Sequence, residues 1–362
     1  MKLLSLVLLA YLWSCQLITA MAAEAYPPTF QIISGDFTDE KGSVIEIPNM
    51  PRLRSQDSLP ICIGISAATI AQKFICDQKT KEYPDCSQIP PDKEISPFSM
   101  ISWAKPTDEN EDPFSYQNHK NITLGNLSGA AALMHSAKLF SFMPESCYPL
   151  DQIANKYADK NKKEVDAILE ELTKIYKDNR TKTEADIAAK PCNDCSSPLE
   201  KINNTLATVA SAHEIHEALQ ANSFPEFMYS VIHEKCNRLR QNKKPLFNHF
   251  PKEEDNITNG LDLLPKIKEI LQLKIPIQIG NVCILRESKN KCGTHSFVIS
   301  GYKKVCSTAS SNCKELFKVQ NSWGPEWQKK HNDGWVDAES ILKNVTNTPK
   351  INIGTLSWLT AN

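Results

Sequence analysis

The succession of apolar and polar positions divides the chain into three textures. After Pro60, the residues Ile63, Ala67, Ile70, Ala71 and Phe74 fall at intervals of four, three, one and three, which sets them on one face of a helix. Cys62 then stands at the N-terminus of that helix. A second start is written in "ISPFSMISWA", where Ser96 can cap and Pro97 fills the first helical position without wasting a donor, and a third helix follows in "GAAALMHSAKLF". From about 150 to 259 the pattern is long, charged and helical, with Val165, Ile168, Leu169, Leu172, Ile175 and Tyr176 forming one apolar stripe. "KPCNDCSSP" breaks it, and it resumes between Leu206 and Leu239. Beyond that the period shortens: "SVIEI" near the start and "IPIQIG", "HSFVISGY", "ELFKVQN" and "GWV" near the end are β-branched, partly alternating and bounded by turn residues, as a sheet or small barrel requires.

Composition narrows the class. A chain of 362 residues, 41% hydrophobic, can bury one large core or two modest ones, so a two-lobed globular protein is expected. With 41 Lys and Arg against 42 Asp and Glu, charge gives no reason to expect nucleic acid or an anionic membrane as partner. Lys2, the apolar run "LLSLVLLAYLW" and Ala20-Met21-Ala22 read as a signal peptide over residues 1–22, so a secreted or periplasmic product is expected. No later stretch approaches the ~20 apolar residues that span a bilayer, and a soluble monomer is expected.

Twelve cysteines in an exported chain point to disulfides. Loss of Cys15 with the leader leaves an odd number, hence one unpaired thiol. Short loops suggest Cys76 with Cys86, Cys283 with Cys292, and Cys306 with Cys313, the last pair closing a loop between Gly301 and Glu315. "CNDC" at 192–195, with His213, His216 and Cys236 downstream, has irregular spacing, so disulfides are favoured over zinc, and no metal or cofactor is expected. "HEIHE" reads as a solvated helix face.

The stretch "KVQNSWGPEW" places an asparagine at the end of a β-branched run, with a tryptophan two residues later. In a strand those two side chains share a face. His295 leads the preceding strand, and a hairpin would bring it to the same end as Asn321. An asparagine oxygen can hold one imidazole nitrogen and fix the tautomer without adding charge, while Trp323 shields that bond and the second nitrogen faces a nucleophile. Cys62 fits that role, because a helix N-terminus and an imidazolium both favour thiolate over thiol.

These motifs resemble the papain family of cysteine peptidases. "QDSLPICIGISA" is similar to its nucleophile stretch, with Gln56 matching the oxyanion-hole glutamine and Cys62 the nucleophile; "HSFVISGY" matches the segment of its histidine at His295; "NSWGPEW" matches its asparagine at Asn321 and shielding tryptophan at Trp323, with Trp327 matching the second tryptophan. The resemblance implies an α+β, papain-like two-lobed fold: a helical lobe (23–150) carrying Cys62, and a β-barrel-like antiparallel lobe (259–362) carrying His295 and Asn321. A helical insertion (151–258) lies outside the resemblance. It further implies a secreted enzyme that hydrolyses peptide or protein substrates through a thiolate–imidazolium pair and an acyl-enzyme. The competing expectations are a non-catalytic papain-fold binding protein and a related thiol acyl transferase.

The chain departs from the family in places. Ile63 replaces the aromatic that usually follows the nucleophile, and Leu59 replaces a cysteine. Gly125 in "TLGNLSG" is the candidate for backbone pairing with substrate, although Asn126 heads a glycosylation sequon. About thirty residues separate the expected leader cut from Gln56, too few for the family's inhibitory prosegment.

Overall fold

The computed structural model describes residues 29–56, 61–97, 100, 144–146, 150, 162–192, 195–206, 210–221, 227, 230–231, 252–254, 259–288, 291–309, 312–345 and 356–360. Mixed helices and an antiparallel sheet make it an α+β protein.

Helix α1 (Cys62–Gln78) begins at Cys62, and Gly64 to Lys73 are all buried. The five-residue face read from the sequence is therefore only part of its contact surface: Ala67, Ile70 and Ala71 are in the core, while Ile63 and Phe74 are partly buried. Packing on every side, permitted by its many small residues, is why its apolar periodicity is weak. The Cys76–Cys86 disulfide ties down its last turn.

The charged middle of the chain forms α2 (Lys162–Asn179), α3 (Glu184–Ala188), α4 (Pro198–Leu206) and α5 (Ala212–Leu219). Thr183 and Ser211 close capping boxes at the starts of α3 and α5. Leu172, Ile175, Tyr176, Ile187, Ile202, Leu206, Ile215 and Leu219 join Ile65, Ala67, Ile70 and Ile75 of α1 in one apolar cluster. The helices read as an insertion thus share the core of the cysteine helix.

All described strands belong to one eight-stranded antiparallel sheet. Its members are β1 (Phe37–Asp39), β2 (Ile45–Glu46), β3 (Lys252–Glu254), β4 (Ile277–Ser288), β5 (Lys291–Ser307), β6 (Cys313–Gln320), β7 (Trp335–Asp337) and β8 (Leu356–Trp358). The long β5 organises it: β4 pairs with residues 291–299, β6 takes the opposite edge from Val298 onward, and β2 and β1 continue the first edge past Ser300. Helices α6 (Leu264–Gln272) and α8 (Ala338–Leu342) complete a second core with Phe297, Ile299, Phe317 and Val319. Alternation along β5 gives each core one face: Phe297 and Ile299 belong to the sheet core, and Val298 to the α1 core.

Cys306 and Cys313 are bonded as expected, across a connection shorter than the 301–315 loop read from the sequence. They are directly opposed partners of β5 and β6, which extend to that point. Cys283 is also a half-cystine. The hairpin register sets it opposite Thr294, with Cys292 opposite Arg286, and the side chain of Cys292 lies outside the described residues. Cys192 is bonded to Cys195. The third helix of the sequence reading and Gly125 also lie outside the described residues.

Candidate active site

His295 and Asn321 meet as the hairpin argument requires. The β5–β6 register pairs Val298 with Gln320, so His295 and Asn321 lie just beyond the same end of the ladder. His295 Nε2 and Asn321 Oδ1 are 2.7 Å apart, and the backbone N–H of Ser322 donates to the same oxygen at 2.8 Å. An amide oxygen receiving a backbone N–H cannot be exchanged for the amide nitrogen, which fixes the asparagine's orientation. Nε2 must then carry the imidazole proton, and in the neutral ring Nδ1 is the basic nitrogen. Both residues are buried.

Trp323 stacks on the imidazole, with ring centroids 4.7 Å apart and planes at 21°. Phe30 packs edge-on against Phe297, Trp323 and Trp327, so aromatic rings enclose the His–Asn bond. The geometric reason differs from the strand alternation expected. Strand β6 stops at Gln320, and Trp323 is the N-cap of helix α7 (Gly324–Lys330). Gly324 adopts φ +81°, a left-handed conformation that favours glycine and turns the chain so that Trp323 lies over the ring.

Cys62 is the one free cysteine among the described residues and keeps partial solvent access. Ile61 at the N-cap of α1 has no capping side chain, and the N–H groups of Cys62 and Ile63 in the first turn act on the sulfur. A third N–H comes from Ser296, the residue after His295, which places the sulfur beside the histidine's own strand. These donors stabilise a thiolate, yet burial outweighs them and pushes the thiol above its ordinary range. Burial likewise pushes His295 down to about 4, against the raising effect of its bond to Asn321. Desolvation therefore works against both charges of the expected thiolate–imidazolium pair, while the three N–H groups at the sulfur and the Asn321 bond at the ring work in its favour.

Gln56 arrives on a separate strap. Ser55 and Trp323 form an antiparallel bridge, and Gln56 N–H donates to Ser322 O at 2.7 Å. Ser322 Oγ donates to the Gln56 side-chain oxygen, which leaves the donor end of the carboxamide for another acceptor. Gln320 Nε2 holds the strap at Pro51 O, 2.7 Å away. Arg52 and the fully buried Arg54 both grip Glu94, and Arg54 also donates to Ile95 O at 2.8 Å. Glu145 hydrogen-bonds through its backbone to Glu94 O, and burial raises its carboxyl to about 7 despite the neighbouring Arg54.

His295, Asn321, Trp323 and Gln56 are thus held together around Ser322, and the Cys62 sulfur lies against the Ser296 backbone of the histidine's strand. The sequence reading missed Ser322, which orients Gln56, and a buried polar group formed by Ser66, Gln278 and Ser296. The available signal was Gln278 itself, a lone amide inside the apolar strand "IPIQIG". Among the described residues no cluster of His, Cys, Asp and Glu is arranged to hold a metal. His213 pairs with Glu184 on an exposed surface instead.

No protein-family model and no curated protein matches the chain. Among solved structures it is similar to SERA5E from Plasmodium falciparum in two crystal structures, each at 12% identity and a TM-score of 0.36. One match covers 86% of this chain and 89% of that one, and the other covers 91% and 96%.

Proposed function

We propose that the protein is a papain-type cysteine peptidase that hydrolyses peptide bonds of exported or extracellular substrates. The observation that carries this reading is the imidazole held by Asn321 through Nε2, covered by Trp323, with an unpaired cysteine at a helix N-terminus against the next backbone N–H of the same strand. In this mechanism His295 Nδ1 takes the Cys62 proton as the sulfur attacks the substrate carbonyl. The Cys62 N–H and the Gln56 amide stabilise the oxyanion. His295 then gives the proton to the leaving amine, and water, deprotonated by the same ring, releases the acyl group. Disulfides at Cys76–Cys86, Cys192–Cys195 and Cys306–Cys313 support an oxidising compartment, and no described helix is long and apolar enough to cross a membrane.

The competing reading is a papain-fold protein that binds peptides without cleaving them. Incubation with a peptide library separates the two. The peptidase reading predicts cleavage that falls by on the order of 10⁴-fold in Cys62→Ser, because nucleophile and base act as a unit. Binding without cleavage by the unmodified chain, or cleavage that survives Cys62→Ser, contradicts it.

A further inference from the structure

Gln278 lies on β4 opposite Val298 of β5, so it shares the sheet face that Ser296 and Val298 turn toward α1. It is buried, as are Ser66 and Ser296. Its amide nitrogen lies 2.9 Å from Ser66 Oγ and 2.6 Å from Ser296 Oγ, one hydrogen for each hydroxyl. The two hydroxyls are themselves 3.1 Å apart. Ser66 Oγ donates to the carbonyl of Cys62 at 2.7 Å, one turn back along the helix. Ser296 Oγ donates to Ile279 O at 3.2 Å, and the Ser296 N–H is one of the three backbone groups that act on the Cys62 sulfur.

One carboxamide therefore touches both sides of the site. Through Ser66 it holds the main chain of Cys62, and through Ser296 it holds the residue that follows His295. Apolar packing on α1 holds the helix against the sheet without fixing its register to a fraction of an ångström, and a displacement of about 1 Å at a reacting pair can cost 10²-fold in rate.

We propose that Gln278 is a positioning residue that sets the spacing of Cys62 and His295 by clamping Ser66 to Ser296; this rests on the peptidase reading above. The test follows the rate of Cys62 alkylation by iodoacetamide from pH 5 to 8 in the full chain. Wild type is expected to be nearly pH-independent. In Gln278→Leu the rate at pH 6 is expected to fall at least about tenfold. Gln278→Glu supplies a single O–H donor when protonated and none when ionised, and burial raises its carboxyl. Its reactivity is expected to fall as pH rises, the reverse of any ordinary thiol and a pattern that loosened packing does not produce. Ser296→Ala, a smaller change, is expected to give a partial loss and serves if the leucine variant does not fold. Variants that match a pH-independent wild type in rate and profile overturn the role of Gln278 alone. A wild type whose rate climbs tenfold per pH unit overturns the peptidase reading, and this inference with it.

Discussion

Two donors converge on Asn321 Oδ1, one from the His295 ring and one from the Ser322 backbone. That doubles the constraint on a side chain that would otherwise flip, and it assigns the imidazole tautomer. The bond also raises the His295 pKa, partly offsetting the burial that lowers it. Asn321→Leu keeps the volume and excludes water but removes the acceptor. We expect kcat to drop by about 10- to 100-fold, the cost of misorienting a base rather than removing it. The acid limb of kcat/KM, expected near pH 4 in the wild type from the His295 value, should move lower still. A pH–rate profile of the two proteins checks both effects. At this scale the chemistry was legible, because "NSWGPEW" and "HSFVISGY" pack their functional groups into short stretches. Gln278, Ser66 and Ser296 were not, because their meaning lies in contacts between residues 66, 278 and 296 that only the folded chain brings together.

Among the elements, the strap of residues 51–56 is held by side chains rather than by a ladder. Gln320, Arg52 and Arg54 fix its length, and Ser322 fixes its end. Glu145 closes the far side of this network, accepting the Leu150 N–H at 2.5 Å. Its folded pKa of about 7 lies above the ordinary carboxylate value of 4.5, so the folded chain holds the extra proton between those limits. Stability from this group is then complete below about pH 4.5 and is lost as pH rises through 7. Glu145→Gln imitates the protonated acid. Denaturant unfolding should show the variant equal to wild type near pH 4.5 and more stable at pH 8, by at most about 3 kcal/mol. An advantage at pH 4.5 as large as at pH 8 would sink this account of Glu145. Element types were mostly legible from period, with α1 and the strands at "IPIQIG", "HSFVISGY", "ELFKVQN" and "GWV" found where the pattern put them. Their ends were not. Strands β5 and β6 run on to their terminal disulfide because pairing in the sheet, rather than local turn propensity, decides where they stop.

For the whole molecule, the placement of the site follows from two cores that share β5. One face of that strand packs with α1 and the charged central helices, and the other with the sheet's own helices. The amphipathic stripe in the central stretch was legible, but its partner was not, since a stripe states that a face is buried and not against what. In the fold that partner is the helix bearing Cys62. The same placement buries His295 and lowers its pKa, which the motif pattern could not show. The central claim is that His295 serves the Cys62 sulfur as base from across this junction. The rate of iodoacetamide modification of Cys62, measured from pH 5 to 8 in the unmodified chain and in His295→Ala, tests it most directly. A pairing of the two groups predicts a nearly flat profile that becomes a tenfold rise per pH unit once the imidazole is removed. A tenfold rise per unit in both proteins would contradict it.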